Sequence, residues 1–303
     1  MMISKIDINR LEEMTNALRE NGYNMNIAID GHAFAGKTSV TREKANILGI
    51  KAISGGHFYR ALTSIYLKGQ GYTEEDIKNM EKDKATTIKE SFLLDEDLLA
   101  QILNDENIDL AEEMRKGEIL LKAPLINSLV SNISPIKEVR SYVLENEKDV
   151  IEGVGDCIME GRSICTKTIP DSNLKFFVTV SDEEAANRKI AAQNLNIEDK
   201  EKIAKSIGLR NKEDEQREND PLVVAEDATL LDTTYLTTEE AVVSVFNEIY
   251  RKTEVLFDEH QIKQAEEQQL AYDDYAMQFT DDGFVIPVNI NVNPEQIIGE
   301  IGL

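Results

Sequence analysis

The chain has 303 residues, 41% of them hydrophobic, and a formal net charge of −24 at pH 7. That length and apolar content can bury a full core, whereas the negative charge argues against nonspecific binding of nucleic acid, which needs an extended positive surface. The sequence holds neither a run of about 18 apolar residues that could cross a bilayer nor an apolar segment typical of a signal peptide near its start, so we expect a cytoplasmic protein with no membrane partner.

The first predicted elements are a short amphipathic helix and a buried strand. Leu11, Met14 and Leu18 recur at helical spacing before an Asn-Gly pair, which indicates a helix that ends there. The stretch "MNIAID" that follows is typical of a buried strand. A glycine loop comes next, and then a helix that is predicted to begin near Lys37.

Short apolar stretches separated by helical segments continue along the chain. The candidate strands are "DVIEGV" with "DCIME", "LKFFVTV" at 174–180 and "ATLLDTT" at 228–234. Short strands that alternate with helices are typical of a parallel sheet with right-handed crossovers. The predicted fold class is therefore α/β, a three-layer α/β/α arrangement around a parallel sheet.

Two strand-poor stretches interrupt this alternation. Residues 62–145 are helical and polar, which predicts an insertion carried by the core, with room for a small hairpin around residues 104–107. Residues 181–221 are rich in Glu, Lys, Arg and Asn and poor in apolar residues, as expected of a mobile helical lid.

Beyond residue 252 a charged helix is followed by "DGFVIPVNINVNP", in which apolar and polar residues alternate as in a half-buried edge strand. This segment could extend the sheet, mediate oligomerisation with a second subunit or cover the amino-terminal helix, and the sequence does not choose among them. The predicted division is an amino-terminal helix (1–24), a core domain (25–252, with the insertion at about 62–145 and the lid at about 181–221) and a carboxy-terminal extension (253–303).

The stretch "IAIDGHAFAGKTSV" contains the pattern G-x4-GK[ST] between a predicted strand and a predicted helix, which is the context of a Walker A phosphate loop. Its glycines admit backbone angles that a side chain would block, and the helix adds its positive end, so the loop suits anionic oxygen. Lys37 is expected to bridge the β- and γ-phosphates of ATP, and the Thr38 hydroxyl to hold Mg²⁺. A glycine turn that binds nothing is the alternative. The predicted ATP-binding residues are Gly31, His32, Ala33, Phe34, Ala35, Gly36, Lys37, Thr38 and Ser39.

Four further segments follow the loop in order: "GGHFYRALT", "SNISPIKEVRSYV", "MEGRSICTKTIPDSNLKFFV" and "RNKEDEQRENDPLVVAEDATLLDTTYLTTEEAV". With the loop, they resemble the bacterial cytidylate kinase family, whose pattern runs D-[ST]-G-x-x-Y-R, a serine and V-R, D-G-R-D-[IM]-G-T, R-x2-R-D-x2-R, P-L-x-x-A-x-D-A and D-[ST]-[ST]-x-L-[ST]. The match covers about residues 27–252 and omits both ends. The resemblance implies a P-loop nucleoside monophosphate kinase that transfers phosphoryl from ATP to CMP or dCMP.

The resemblance also implies roles for individual residues. Asp214 looks like the ribose contact, Arg217 like the lid arginine that closes over the phosphates, and Ser131 with Arg140 like base-reading residues. Arginine suits phosphate because its planar fork donates bidentately. The implied catalytic residues are Lys37, Arg162, Arg210 and Arg217, and the implied substrate-binding residues are Gly55, Tyr59, Arg60, Ser131, Arg140, Arg162, Ser163, Arg210 and Asp214.

Each arginine has a plainer interpretation, such as a surface side chain, or a partner of Glu213 and Asp214 on a solvated helix face. A functional site in so acidic a protein requires the scarce arginines to be focused in one cleft. Their placement in the structure therefore tests the interpretation.

The sequence departs from the family pattern on the acceptor side. Ser54-Gly55 stands in place of Asp-[ST], Glu160 and Ser163 stand in place of the two aspartates of D-G-R-D, and Glu213 replaces a lid arginine. Serine at 163 should discriminate cytosine from uracil less well, and Glu213 should slow transfer unless Lys212 compensates. In the loop, His32 replaces the usual proline.

These departures leave alternatives open: a kinase for UMP or another small acceptor, or a nucleotide-binding regulatory protein without efficient turnover.

Overall fold

The computed structural model describes the backbone of residues 8–280. The described residues fall into two compact units, divided between Glu254 and Val255. The first unit carries the sheet and every predicted site residue. Of the second unit, residues 255–270 form mainly exposed, charged helix. The strand predicted near residues 284–292 lies outside the described residues.

The first unit is built on a five-stranded sheet whose strand pairs are all parallel, in the order β2-β3-β1-β4-β5. The strands in the middle of the sheet are apolar and buried, whereas the two edge strands are partly exposed. Helices flank the sheet, and the predicted α/β class with a parallel sheet is confirmed. The strands are β1 (Ile27–Gly31), β2 (Lys51–Ser54), β3 (Cys157–Glu160), β4 (Leu174–Thr179) and β5 (Thr229–Asp232).

Thirteen helices are described in residues 8–280, together with a π-helical turn (Ile164–Thr168) and a 3-10 turn (Ile197–Asp199). No helix in this range is both long and apolar enough to cross a membrane. The helices are α1 (Ile8–Glu20), α2 (Lys37–Leu48), α3 (Gly55–Gly69), α4 (Glu74–Asn79), α5 (Lys82–Glu90), α6 (Glu96–Leu103), α7 (Leu110–Arg115), α8 (Glu118–Leu121), α9 (Pro124–Ile133), α10 (Lys137–Val154), α11 (Asp182–Gln193), α12 (Lys200–Gln216) and α13 (Thr238–Thr280).

The amino-terminal helix is confirmed as α1, because Leu11, Met14 and Leu18 are all buried. Helices α3 to α10 lie between β2 and β3 and overlap the stretch 62–145, whose role as an insertion stays a prediction. Part of the insertion has an apolar core of its own, in which Leu67 of α3 packs with Leu125 and Leu129 of α9. The predicted lid stretch is helical, as α11 and α12, and its mobility stays a prediction.

Two details of the predicted pattern are wrong, and one strand was missed. "DVIEGV" ends helix α10, because its apolar residues continue the helical spacing of Val139 and Val143. The hairpin near 104–107 is a tight turn, in which the Asp105 carboxylate accepts a hydrogen bond from the Asn107 backbone N–H at 2.9 Å. The missed strand, β2, has only four residues and lies at the sheet edge, so its apolar signal is weak.

Candidate active site at the carboxyl edge of the sheet

The phosphate loop leaves the end of β1 with two glycines in conformations that other residues rarely adopt. Gly31 has φ +142°, and a Cβ there would lie 1.9 Å from the carbonyl oxygen of Val178 in β4. Gly36 has φ +93° and forms the N-cap of α2. A side chain at either position would be strained, so the sequence G-x4-G is what lets the chain turn from the strand directly into the helix. The positive end of α2 therefore faces the loop.

Lys37 lies within this loop, buried, with its ammonium group turned onto backbone carbonyls. Its Nζ donates to the carbonyl oxygens of Gly31 at 2.8 Å and His32 at 2.6 Å. Burial, with the nearby positive charge of Arg162, lowers the pKa of Lys37 from 10.5 to about 7. Because carbonyls compensate an ammonium charge less well than phosphate does, an anion in the loop would relieve this cost.

Arg162 joins Lys37 at the same point. Its Nη1 donates to the carbonyl oxygen of Gly31 at 2.6 Å, so two cations from distant parts of the sequence converge on one carbonyl. Burial lowers the pKa of Arg162. The charge of Arg210 also acts on Lys37, Arg60 and Arg162, which places it near this group. The predicted focusing of positive charge inside an acidic protein is therefore present.

A buried carboxylate that the sequence motifs do not single out anchors the segment that carries Arg162. Asp30, the last residue before the loop, is fully buried and accepts hydrogen bonds from the backbone N–H groups of Ile164 at 2.9 Å and Cys165 at 2.8 Å. Burial raises the pKa of Asp30. The π-helical turn is thereby tied to β1, and Arg162 and Ser163 immediately precede it. An aspartate inside an apolar strand was the available signal.

Two of the departures, at positions 54 and 160, contact each other. The Ser54 hydroxyl donates to the Glu160 carboxylate, which also accepts from Thr38 Oγ1 at 3.3 Å. The Glu160 carboxylate thus joins Ser54, at the end of β2, to Thr38, in the first turn of α2. At position 55, a Cβ would lie 2.9 Å from Oε1 of the buried Glu147, so a larger residue there would require the Glu147 side chain to shift.

Arg140 organises the predicted base-reading side. The Arg140 side chain is buried, its guanidinium lies 5.6 Å from the centre of the Tyr59 ring, and its Nη2 donates to Ser163 Oγ at 3.4 Å. Its Nε donates to Asp220 Oδ2 at 2.8 Å. Burial raises the pKa of Tyr59 to about 12, so the phenol stays neutral. Asp220 was not predicted, and its position just before a proline was the only sequence signal.

Arg60 and Ser131 lie on the insertion helices. Arg60 Nη1 donates to the carbonyl oxygen of Gly56 at 3.0 Å, and its Nε donates to Asn127 Oδ1 at 3.3 Å. Ser131 is exposed and accepts a hydrogen bond from Lys89 at 3.2 Å. The structure gives Ser131 no hydrogen bond to Arg140 among the described contacts, so its base-reading role stays a prediction.

The lid supplies Asp214 and Arg217. Asp214 Oδ2 lies 3.4 Å from Arg162 Nε, and its Oδ1 accepts from Arg217 Nη1 at 3.1 Å, so this carboxylate joins a core arginine to a lid arginine. Arg217 Nε donates to the carbonyl oxygen of Asp220 at 2.6 Å. Its Nη2 is buried and is one of the few buried side-chain donors in the described residues without a partner. A buried unpaired donor is costly, and an anionic ligand would satisfy it.

The remaining loop residues are held from outside by backbone contacts. The carbonyl oxygen of Phe34 accepts from Arg188 at 3.3 Å, and that of Ala35 from Thr233 Oγ1 at 3.2 Å. Phe34 has φ +59°, and the Lys189 ammonium lies 5.7 Å from the centre of its ring. Ser39 is exposed in the first turn of α2.

Comparison with known proteins agrees with this geometry. The family model described as cytidylate kinase matches residues 27–252. A cytidylate kinase of Caldanaerobacter subterraneus subsp. tengcongensis is 36% identical over 229 residues, which cover 75% of this chain and 95% of that protein. A cytidylate kinase of Carboxydothermus hydrogenoformans is 34% identical over 235 residues, which cover 77% of this chain and all of that protein. A cytidylate kinase of Alkaliphilus oremlandii is 37% identical over 227 residues, covering 73% of this chain and 95% of that protein.

The matched range contains the phosphate loop, the lid and the arginine cluster, which consists of Arg60, Arg162 and Arg210. The chain belongs to the cytidylate kinase family.

Proposed function

We propose that the protein transfers the γ-phosphoryl group of ATP to the phosphate of CMP or dCMP. The observation that carries the proposal is the convergence of Lys37 Nζ and Arg162 Nη1 on the carbonyl oxygen of Gly31, at the mouth of the phosphate loop. Phosphoryl transfer needs little covalent help and depends on charge neutralisation and in-line positioning. Cations at the loop supply the first, and we expect the loop and the base-reading side around Arg140 to supply the second.

The roles of the side chains follow from their positions. Lys37 exchanges its carbonyl partners for phosphate oxygens of ATP, and Arg162 does the same between the two nucleotides. Arg217 presents its unpartnered Nη2 to the anionic transferring group, while Arg210 adds positive charge from the lid. Asp214 holds Arg162 and Arg217 in register until substrate arrives, and then contacts the ribose.

Magnesium fits the oxygens of this loop. Thr38 Oγ1 and the Glu160 carboxylate lie within hydrogen-bonding distance, at 3.3 Å, and Mg²⁺ prefers a few protein oxygens together with phosphates and water. Bound there, Mg²⁺ would neutralise charge on the β- and γ-phosphates. The described residues contain no cluster of three or more His, Cys, Asp or Glu side chains suited to a metal, so the nucleotide itself would supply most of the ligands.

Ser163 carries the proposed base preference. Its hydroxyl is short, neutral and already accepts from Arg140, so it distinguishes an amino group from a carbonyl oxygen less well than a carboxylate would. We therefore expect CMP and dCMP to lead as acceptors, with UMP closer behind than in relatives that carry an aspartate. Kinases for other acceptors and a regulatory protein without turnover are not favoured by the relatives. A cytoplasmic location, and oligomerisation through residues 253–303, remain part of the proposal.

A coupled assay with ATP, Mg²⁺ and each of CMP, dCMP, UMP, AMP and GMP tests the proposal. Turnover with the cytidine nucleotides, lost in Arg162→Met, supports it. The matched control is Arg42→Met, because Arg42 is exposed on α2 and pairs with Glu118 outside the arginine cluster. No turnover with any pyrimidine monophosphate would refute it.

A further inference from the structure

Helix α12 of the lid touches the phosphate loop through an asparagine. Asn211 is buried, and its Oδ1 accepts a hydrogen bond from the backbone N–H of Ala33 at 3.1 Å. Its Nδ2 lies 3.4 Å from Asp182 Oδ1, at the start of α11, and donates to it. One amide thus links the loop to both helices of the lid.

A second contact uses His32, the residue that replaces proline in the loop. Its Nε2 lies 2.9 Å from Glu215 Oε1 of α12, and its Nδ1 lies 2.8 Å from Thr179 Oγ1 at the end of β4. The ring also packs edge-on against Phe177, with centroids 5.5 Å apart. Thr179 and Phe177 belong to β4, so their contacts hold the imidazole ring of His32 in one orientation. In this orientation Nε2 points to Glu215. A proline could make neither polar contact.

The helical spacing connects these contacts to the chemistry. Asn211 and Glu215 are four residues apart and therefore lie on one face of α12. Arg210 and Asp214 are also four residues apart, so they share the adjacent face, and Arg217 follows the last residue of α12. When the first face rests on the loop, the second is turned toward the core cations, as the 3.4 Å approach of Asp214 to Arg162 Nε records.

We propose that His32 and Asn211 are positioning residues that hold α12 on the phosphate loop before nucleotide binds, and so set the rotation of the lid arginines. The effect of these contacts on nucleotide binding rests on the proposed kinase function, whereas the contacts themselves do not. The two contacts shift the lid toward its closed arrangement, so ATP no longer has to supply that part of the closing free energy. Neither contact involves position 213, where this chain has Glu213 and the family's pattern has an arginine.

The direct test measures lid position in the nucleotide-free protein. Spin labels are attached to cysteines introduced at the exposed positions Glu198, near the lid tip, and Lys51, at the sheet edge, because the native Cys157 and Cys165 are buried. Glu215→Ala removes the partner of His32, and Glu213→Ala is its matched control, an exposed carboxylate lost two residues away. We expect a longer, broader label distance in Glu215→Ala alone, and return to the parent distance when ATP and CMP are added.

Kinetics separate positioning from a merely structural role. Exposed or half-exposed pairs of this kind are worth a fraction of a kcal/mol to about 1 kcal/mol, so Glu215→Ala should raise the KM for ATP about two- to fivefold and keep kcat within about twofold. Asn211→Ala should act in the same direction. An unchanged label distance in both variants, or a fall in kcat with an unchanged KM, overturns the proposal. Inactivity of the parent protein with an intact label response would instead refute the kinase assignment alone.

Discussion

Replacing Lys37 with methionine should stabilise the nucleotide-free protein while it removes activity. The pKa of the buried ammonium falls from 10.5 to about 7, which at 1.36 kcal/mol per unit is a cost of about 5 kcal/mol at neutral pH. Methionine carries no such cost, but it leaves the carbonyl of His32 without this donor, while that of Gly31 keeps Arg162. The loss of the hydrogen bonds from the Lys37 ammonium cancels about 3 kcal/mol of this gain, so we expect the free energy of unfolding to increase by about 2 kcal/mol.

The gain should depend on pH in a defined direction. The folded-state pKa of Lys37 is depressed, so between pH 7 and 10.5 the unfolded protein binds more protons than the folded one. The free energy of unfolding of the parent protein therefore rises with pH across that window. The stability advantage of Lys37→Met is greatest near pH 7 and disappears toward pH 10.

Urea unfolding of the nucleotide-free proteins at pH 7 and pH 9.5 measures both effects, and a rise in Tm of about 3–4 °C at pH 7 is the thermal counterpart for a chain of this length. ATP should stabilise the parent protein but not the variant, and kcat should fall about 10²-fold or more. Lys212→Met, at an exposed position of α12, is the control and should leave stability unchanged. A variant that is less stable at pH 7, or a difference that does not vary with pH, would refute the reasoning.

Two further predictions concern the departures from the family pattern. Glu213→Arg restores a positive charge near the transferring group, so kcat should rise about two- to tenfold in the coupled assay, and an unchanged or lower kcat would contradict the idea that Glu213 slows the transfer. Ser163→Asp gives the base a carboxylate partner, so the ratio of kcat/KM for CMP over UMP should increase about tenfold or more; an unaltered ratio would place base discrimination elsewhere.

The sheet was predictable because its central strands are short, apolar and separated by helices. β1 and β4 carry almost uninterrupted apolar residues, as strands buried on both faces do. β2 was not predicted, since "KAIS" has only two apolar residues and lies at an edge. "DVIEGV" was misjudged because a short apolar run is ambiguous when the preceding helical spacing is ignored.

The convergence of Lys37 and Arg162 was predictable because phosphate chemistry demands these residue types in a fixed order. The residues that hold those side chains were not, because their partners are distant in sequence. Asp30 accepts hydrogen bonds from a turn more than 130 residues away, and Asn211 contacts Ala33 across 178 residues. The proximity of Glu147 to Gly55 could not be predicted for the same reason.

The carboxylate of Asp30 has an implication for protein engineering. Asp30 lies one residue before the end of β1, which leads into the phosphate loop, and it also holds the turn that follows Arg162. The loop and the segment that carries Arg162 therefore both depend on this one carboxylate. Segments exchanged between relatives should therefore cross over outside residues 27–168. A junction inside that range would combine β1 of one parent with the Ile164–Thr168 turn of the other.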